Sequence, residues 1–221
     1  MSMRISSEMI YQYIYVLPRG KLKASLIKGL LQEHKCPHKR KIKTGETTEN
    51  RGKIADILSI EERPEEVADR TVPGHWEGDL ILGKYKITAL GTLVERTTRY
   101  TMLIQLIAKD AETVRKAYAK ALTKLPRHLA RSLSYDQGKE MSQHKAFTIS
   151  TGMKVYFTHP ASPWERGTNE NTNGLIRRYF PKGTAFDEVT PQSIKLTQDR
   201  LNGRPRRVLE CRMKHFPLPL H

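Results

Sequence analysis

Trp76-Glu-Gly-Asp-Leu-Ile-Leu82 decides how this chain is read. Its aromatic start and aliphatic end predict a strand. That strand carries Asp79 in its middle, between Gly78 and Leu80-Ile81-Leu82. A carboxylate in such surroundings is costly unless something compensates it. A divalent cation is the usual compensation. Mg²⁺ (magnesium) takes hard oxygen ligands and keeps room for phosphate and water.

Working outward, Lys86–Glu95 and Arg99–Ile107 are two more predicted strands, rich in Thr, Val, Ile and Leu. Gly83 and Arg96-Thr-Thr-Arg99 are the turns between them. Asp110 is placed to cap a helix running to about Leu125, with Pro126 beyond its end. Leu129–Tyr135 is a fourth strand and Lys139–Ser150 a helix. Met153–Thr158 is a fifth strand, Glu165–Tyr179 a helix ended by Pro181, and Pro191–Asn202 a last helix. Three strands in a meander, followed by alternating helices and strands, predict an α/β fold: a mixed sheet with helices packed on it. That order is ribonuclease H-like. Upstream, Ile5–Val16 and Lys21–Glu33 have helical spacing and form a short helical N-terminal piece. The expected divisions are a helical piece over 1–33, a linker over 34–70, a core over 71–207 and a divergent tail over 208–221.

The chain carries 39 basic and 23 acidic side chains, a net charge of +16. Arg19–Lys53 holds eleven basic residues against three acidic, and Asp56–Arg70 six acidic against two basic. The linker is therefore basic, then acidic, and the region from Thr71 onward is basic again. A positive excess of this size points to a polyphosphate partner. Cys36 and Cys211 are the only cysteines, which makes no disulfide framework and fits a reducing cytoplasm. His34-Lys-Cys-Pro-His38 has no second ligand pair for a structural zinc. There is no run of eighteen apolar residues, so no membrane partner is expected.

Two further acids complete a constellation. Asp136 directly follows the fourth strand in Leu133-Ser-Tyr-Asp-Gln-Gly138, and Glu170 lies in the penultimate helix. Three carboxylates from two strands and a helix can hold two metal ions about 3.5–4 Å apart, the arrangement used for in-line displacement at phosphorus. Spacing alone carries little weight, since chance supplies acid pairs at any separation. The flanking residues carry more. Trp76 stands three before Asp79, and Gly138 two after Asp136. Pro163 and Gly167 stand seven and three before Glu170, with Asn173 and Arg177 three and seven after it.

This set resembles the catalytic core of the retroviral integrase and DDE-transposase superfamily. Val72-Pro-Gly-His-Trp-Glu-Gly-Asp-Leu-Ile81, Ser162-Pro-Trp-Glu-Arg-Gly-Thr-Asn-Glu-Asn-Thr-Asn-Gly-Leu175 and Tyr179-Phe-Pro-Lys-Gly183 are similar to the bacterial insertion-sequence family numbered thirty. The resemblance runs from about Ile5 to Arg207. It implies a transposase that cuts transposon ends and joins them to target DNA. Asp79, Asp136 and Glu170 would be its catalytic residues and metal ligands, for two Mg²⁺ ions with Mn²⁺ as a substitute. It further implies a homo-oligomer when active, working in the cytoplasm on nucleoid DNA. Of the family's upstream helix-turn-helix region only Ile5–Val16 has a counterpart, and Val208–His221 departs from the family's pattern. The expectation is a chain truncated at its N-terminus and altered at its C-terminus, with a catalytically inactive DNA-binding remnant as the alternative.

Positions i, i+3 and i+7 share a helical face, so Glu170, Asn173 and Arg177 are expected to point the same way. DNA contacts are expected from Asn173, Arg177, Arg178 and Lys182, and from Lys39, Arg40 and Lys41 in the linker. Trp164 either packs or stacks on bases. Trp76 is expected in the core, His75 and His159 as ordinary hydrogen-bonded histidines, and Glu77 and Glu165 beside the site without belonging to it.

Overall fold

A computed structural model describes residues 7–18, 20–29, 54–67, 69–160 and 162–204. Lys39, Arg40, Lys41 and the tail from Val208 lie outside the described residues. The chain divides into two units, Met1–Glu49 and Asn50–His221. In the first, α1 (Ser7–Val16) packs on α2 (Lys21–Gly29), with Ile14 buried. Lys23 Nζ donates to the Leu17 carbonyl at 2.7 Å.

The second unit is built on a six-stranded mixed sheet. Its strands are β1 (Leu58–Ser59), β2 (His75–Leu82), β3 (Ala89–Glu95), β4 (Thr101–Leu106), β5 (Ser132–Tyr135) and β6 (Lys154–Phe157), in the spatial order β1-β6-β5-β2-β3-β4. The strands β1, β6, β5 and β2 run parallel, while β3 is antiparallel to both β2 and β4. This is the ribonuclease H-like arrangement, and it places β2, with Asp79, in the interior of the sheet.

Strand side chains alternate between faces, and β2 uses both. Trp76, Leu80 and Leu82 join Leu93, Leu133 and Phe157 in a cluster under α3 (Ala111–Leu122) and α4 (His144–Thr151). Ile81 faces the other way, with Leu90, Ile176, Phe186 and Ile194, against α5 (Gly167–Ile176) and α6 (Pro191–Asn202). Covered on both sides, β3 is buried at every residue. Gly91 gives the room for this packing, since a Cβ there would lie 2.6 Å from the Tyr118 ring. The helices begin where the sequence places their caps. Asp110 accepts from the Thr113 N–H at 2.9 Å, and Thr190 from the Ser193 N–H at 3.2 Å ahead of Pro191.

Several expected elements are shorter than predicted. The helix expected over Lys139–Ser150 divides into a 3-10 turn, Lys139–Met141, and α4. The helix expected over Glu165–Tyr179 divides into a 3-10 turn, Pro163–Arg166, and α5. The hairpin between β2 and β3 has Tyr85 and Lys86 in the left-handed region, at φ 55° and 58°, so β3 starts later than expected.

The expected linker over 34–70 is corrected at its acidic end. Leu58 and Ser59 pair in parallel with Tyr156 and Phe157. Glu61, Glu62, Glu65 and Glu66 sit in two 3-10 turns, while Ile60 and Val67, which flank them, are buried. The acids face water and the two aliphatic residues anchor the segment, so the sheet begins before residue 71. A linker would tolerate Val67→Asp. Here the substitution strands a carboxylate in a site only 1% exposed, at a cost of roughly 3 kcal/mol or more. Thermal unfolding should show a marked fall in Tm, and an unchanged Tm would return this segment to linker.

Candidate active site

The parallel register of β2 and β5 pairs His75, Trp76 and Glu77 with Ser132, Leu133 and Ser134. Continued by two residues, it sets Asp136 beside Asp79, at the roughly 5 Å spacing of neighbouring strands. Each carboxylate is held by short contacts. Asp79 Oδ1 accepts from the Leu80 N–H at 2.9 Å, and Oδ2 from Asn173 Nδ2 at 2.8 Å. Asp136 Oδ1 accepts from the Gly138 N–H at 3.1 Å.

The guanidinium of Arg166 bridges the two acids. Its Nη2 donates to Asp136 Oδ2 at 3.0 Å, and its Nη1 lies 3.5 Å from Asp79 Oδ1. Nη1 also donates to the Gly78 carbonyl at 2.9 Å. Burial pushes the Asp79 carboxyl up from its ordinary value; Arg166 opposes that shift and Asp136 adds to it. Burial works against the charge of Arg166 as well, yet the two aspartates outweigh it and raise the guanidinium above its usual range.

A buried network fixes the helix over these acids. Glu77, fully buried on the same face of β2 as Asp79, pairs with Arg96 and accepts from the Asn169 N–H at 2.8 Å. Asn169 Nδ2 donates to the Glu77 carbonyl at 2.8 Å, and its Oδ1 accepts from Thr92 Oγ1 at 3.0 Å. The N-terminal turn of α5 is thus tied to β2 and β3. From the opposite face Tyr118 donates its hydroxyl to the Asp79 carbonyl at 2.7 Å.

The structure brings Asp79 and Asp136 together but leaves Glu170 apart. Glu170 is exposed on α5 and lines a cleft of about 400 Å³ with Gly167, Asn171, Gly174, Leu175 and Arg178. Among the described residues no three carboxylate, imidazole or thiol groups gather closely enough to share a metal ion. The cation at the junction of the two aspartates is instead the guanidinium of Arg166.

The expected DNA contacts fare differently from one another. Asn173 orients Asp79 and leaves its own Oδ1 buried without a hydrogen-bond partner. Arg177 donates to the Leu82 carbonyl at 2.9 Å and to Pro181 at 3.4 Å, so it ties α5 to the end of β2. Arg178 stands in the Glu170 cleft, and Lys182 is exposed. Trp164 is 73% exposed, which removes the packing alternative. Trp76 is wholly buried, with its indole N–H donating to the Leu129 carbonyl at 2.8 Å.

Sequence reasoning missed Arg166 and Asn169. Both stand in the quoted Ser162–Leu175 string, but neither belongs to a periodic pattern, and only the strand register shows what they face. His75 is buried, its Nδ1 2.8 Å from Ser132 Oγ, and burial lowers its pKa. His159 binds Glu165 twice, through its N–H and its Nδ1, both at 2.8 Å. Glu165 therefore staples the loop ahead of α5, beside the site as expected.

Residues 69–163 match the Integrase core domain. The chain is 43% identical over 216 residues to the transposase for insertion sequence element IS1086 of Cupriavidus metallidurans, covering 98% of this chain and 62% of that protein. It is likewise 43% identical over 212 residues to transposase InsI for insertion sequence element IS30A of Escherichia coli, covering 95% of this chain and 54% of that one. To the transposase for insertion sequence element IS4351 of Bacteroides fragilis it is 38% identical, covering 93% of this chain and 61% of that protein. The chain thus spans between 54% and 62% of the length of these relatives. Among solved structures it is similar to the catalytic core domain of BIV integrase, with a TM-score of 0.46 and 14% identity, over 59% of this chain and 84% of that one.

The His159–Glu165 staple sets a pH dependence. Hydrogen bonding to Glu165, then its charge, raises the imidazole pKa above 6.5. A pKa raised by folding stabilises below the unfolded value and fades as pH climbs through the folded one. The staple should therefore be firm in mild acid and loosen above the raised midpoint. An NMR titration should place the His159 midpoint above 6.5, and Glu165→Gln should bring it back down. A midpoint indifferent to Glu165→Gln would refute the assignment.

Proposed function

The chain belongs to the insertion-sequence transposases whose members include those of IS1086 and IS30, and from that premise we propose that it cleaves transposon ends and joins them to target DNA. What supports this reading is that Asp79 on β2 and Asp136 just after β5 share the guanidinium of Arg166, while Asn173, on the helix that bears Glu170, donates to Asp79. Hard oxygen donors already gathered around a cation, here the guanidinium of Arg166, suit a divalent metal. Asp79, Asp136 and Glu170 would hold it, and Mg²⁺ or Mn²⁺ fits that donor set. When bound, such a metal pair supplies Lewis acidity for in-line displacement at phosphorus.

The remaining work falls to this chain's own residues. Asn173 fixes the Asp79 carboxylate through Nδ2, and the Glu77–Asn169 contacts keep α5 over the strands. Exposed Lys182, together with Arg178 in the Glu170 cleft, offers cations to the phosphate backbone. Exposed Trp164 offers a stacking face to an unpaired base. In cleavage, a water oxygen forms a new P–O bond as the bond from phosphorus to the 3′ oxygen breaks, and that oxygen leaves as a 3′ hydroxyl. In joining, the 3′ hydroxyl forms a P–O bond to target DNA as one target P–O bond breaks. The second step exchanges one phosphodiester for another, so it needs no external energy source.

The partner is DNA, and two copies of the chain pairing two element ends suit a reaction that joins both to one target. Among the described residues no helix is long and apolar enough to cross a membrane. Placement with nucleoid DNA in the cytoplasm fits the net charge of +16.

The test is strand transfer on duplexes carrying element ends, with Mg²⁺ or Mn²⁺ added. Asp79→Asn, Asp136→Asn and Glu170→Gln should each drop joining to background while leaving metal-free DNA binding at least as tight, since each removes a negative charge near phosphate. A variant with near-parental joining would remove its residue from the site. Parental protein that binds DNA yet neither cuts nor joins it would leave a DNA-binding chain without the chemistry.

Binding should also respond steeply to salt. Neutralising phosphates releases condensed counterions, with a slope in log affinity against log salt of about −0.9 per phosphate contacted. Lys182→Ala or Arg178→Ala should each flatten the slope by about one such step. An unchanged slope in both would take these cations away from the DNA.

A further inference from the structure

The acid pair carries its own counter-cation. We propose that Arg166 occupies the metal position of the resting site, and that metal enters only as the guanidinium gives up Asp136. The inference rests on reading Asp79 and Asp136 as metal ligands.

Four observations support it. The guanidinium reaches both acids with different nitrogens, Nη2 to Asp136 and Nη1 towards Asp79. A bridging cation would stand in the same place. Nη1 keeps a second hold on the Gly78 carbonyl, so Arg166 can release Asp136 without losing every anchor. Its Nε is buried with no hydrogen-bond partner. An unsatisfied buried donor holds the side chain less firmly than a fully bonded one would. Lastly, Arg166 lies in the Pro163–Arg166 3-10 turn, ahead of α5 rather than within it, with Gly167 between it and the pinned Asn169. The arginine can shift while the helix stays tied to Glu77.

Charge gives the exchange its direction. With Arg166 in place the pair and its partner sum to −1; without it they sum to −2. A divalent ion therefore meets a weaker field in the resting chain than the two aspartates alone would give. A guanidinium displaced from a carboxylate is also suited to phosphate, which its planar fork matches. Incoming DNA thus gives Arg166 a place to go, and metal loading becomes linked to substrate.

The experiment measures Mn²⁺ binding to the full chain without DNA, by electron paramagnetic resonance or calorimetry, alongside Tm without metal. Arg166→Gln should bind Mn²⁺ about tenfold tighter or more, because one positive charge has been removed close to the ion. Its metal-free Tm should fall, because the two aspartates then repel unscreened. A residue that only supports the fold would lower Tm without tightening metal binding. Arg166→Lys keeps the charge but loses the fork, and serves should Arg166→Gln fail to fold; it too should bind Mn²⁺ more tightly than the parent. Mn²⁺ affinity equal to or below the parent's in the folded variant overturns the proposal. Asp79→Asn separates the two readings: Mn²⁺ binding that survives it refutes the metal site itself, whatever Arg166 does.

Discussion

Two carboxylates that share one guanidinium, Asp79 within β2 and Asp136 just after the neighbouring β5, constrain everything around them. At roughly 5 Å and an effective dielectric of about 20, two unit charges repel by about 3 kcal/mol. That is a large fraction of the margin by which a domain is folded. Asp79 and Asp136 are kept near each other because β2 carries the first, β5 beside it leads directly into the second, and both meet Arg166. The surroundings therefore have to absorb the repulsion. Backbone N–H groups of Leu80 and Gly138, the amide of Asn173 and the guanidinium of Arg166 all point donors at the pair. Burial still leaves the Asp79 carboxyl raised, so the compensation is incomplete. A site left in that condition is suited to receiving a further cation.

The same strand holds a second charge that is treated in the opposite way. Glu77 lies two residues before Asp79, on the same face, and is closed off from water. Its carboxylate is held by protein groups, Arg96 and the Asn169 backbone N–H, and the Asn169 side chain donates to the Glu77 carbonyl. A buried ion pair of this kind contributes little net stability, but removing one partner strands the other charge. The arrangement therefore specifies position: α5 docks on β2 at one register only. Glu77 locates the helix, and Asp79 is left with lone pairs to offer. Two acids on one strand thus have separate tasks, set by which of them water can reach.

Much of this was legible in the sequence, for identifiable reasons. The meander β2-β3-β4, the cap at Asp110 and the helix over Pro191–Asn202 follow from local patterning, which a sequence displays directly. Trp76 and the burial of the strands around it follow as well. The strand β1 did not show itself, because two residues among six acids of Asp56–Arg70 give no alternation to read; its evidence is the pairing with β6. Helical spacing placed Asn173 and Arg177 on one face, and both do meet β2, at Asp79 and Leu82. Spacing said nothing of what else would stand opposite them. Arg166 was invisible for the same reason, since its meaning lies in the register between strands far apart in sequence. Glu170 was legible as a family position, and its exposure in a cleft with Arg178 was not.

The net charge and the site pull in opposite directions, and the structure shows how they coexist. A chain at +16 draws in a polyanion from any side. At the acid pair itself the local sign is negative, so a phosphate arriving there unaccompanied would be repelled. Cations must therefore be present before phosphate can approach the aspartates. Arg166 supplies one such charge in the resting chain, and Arg178 stands a second beside Glu170 in the neighbouring cleft. Arg166 ends the turn leading into α5, and Arg178 lies just beyond the end of that helix. The helix that carries Glu170 is thus flanked by the positive charge that the proposed approach of phosphate to an acidic site requires.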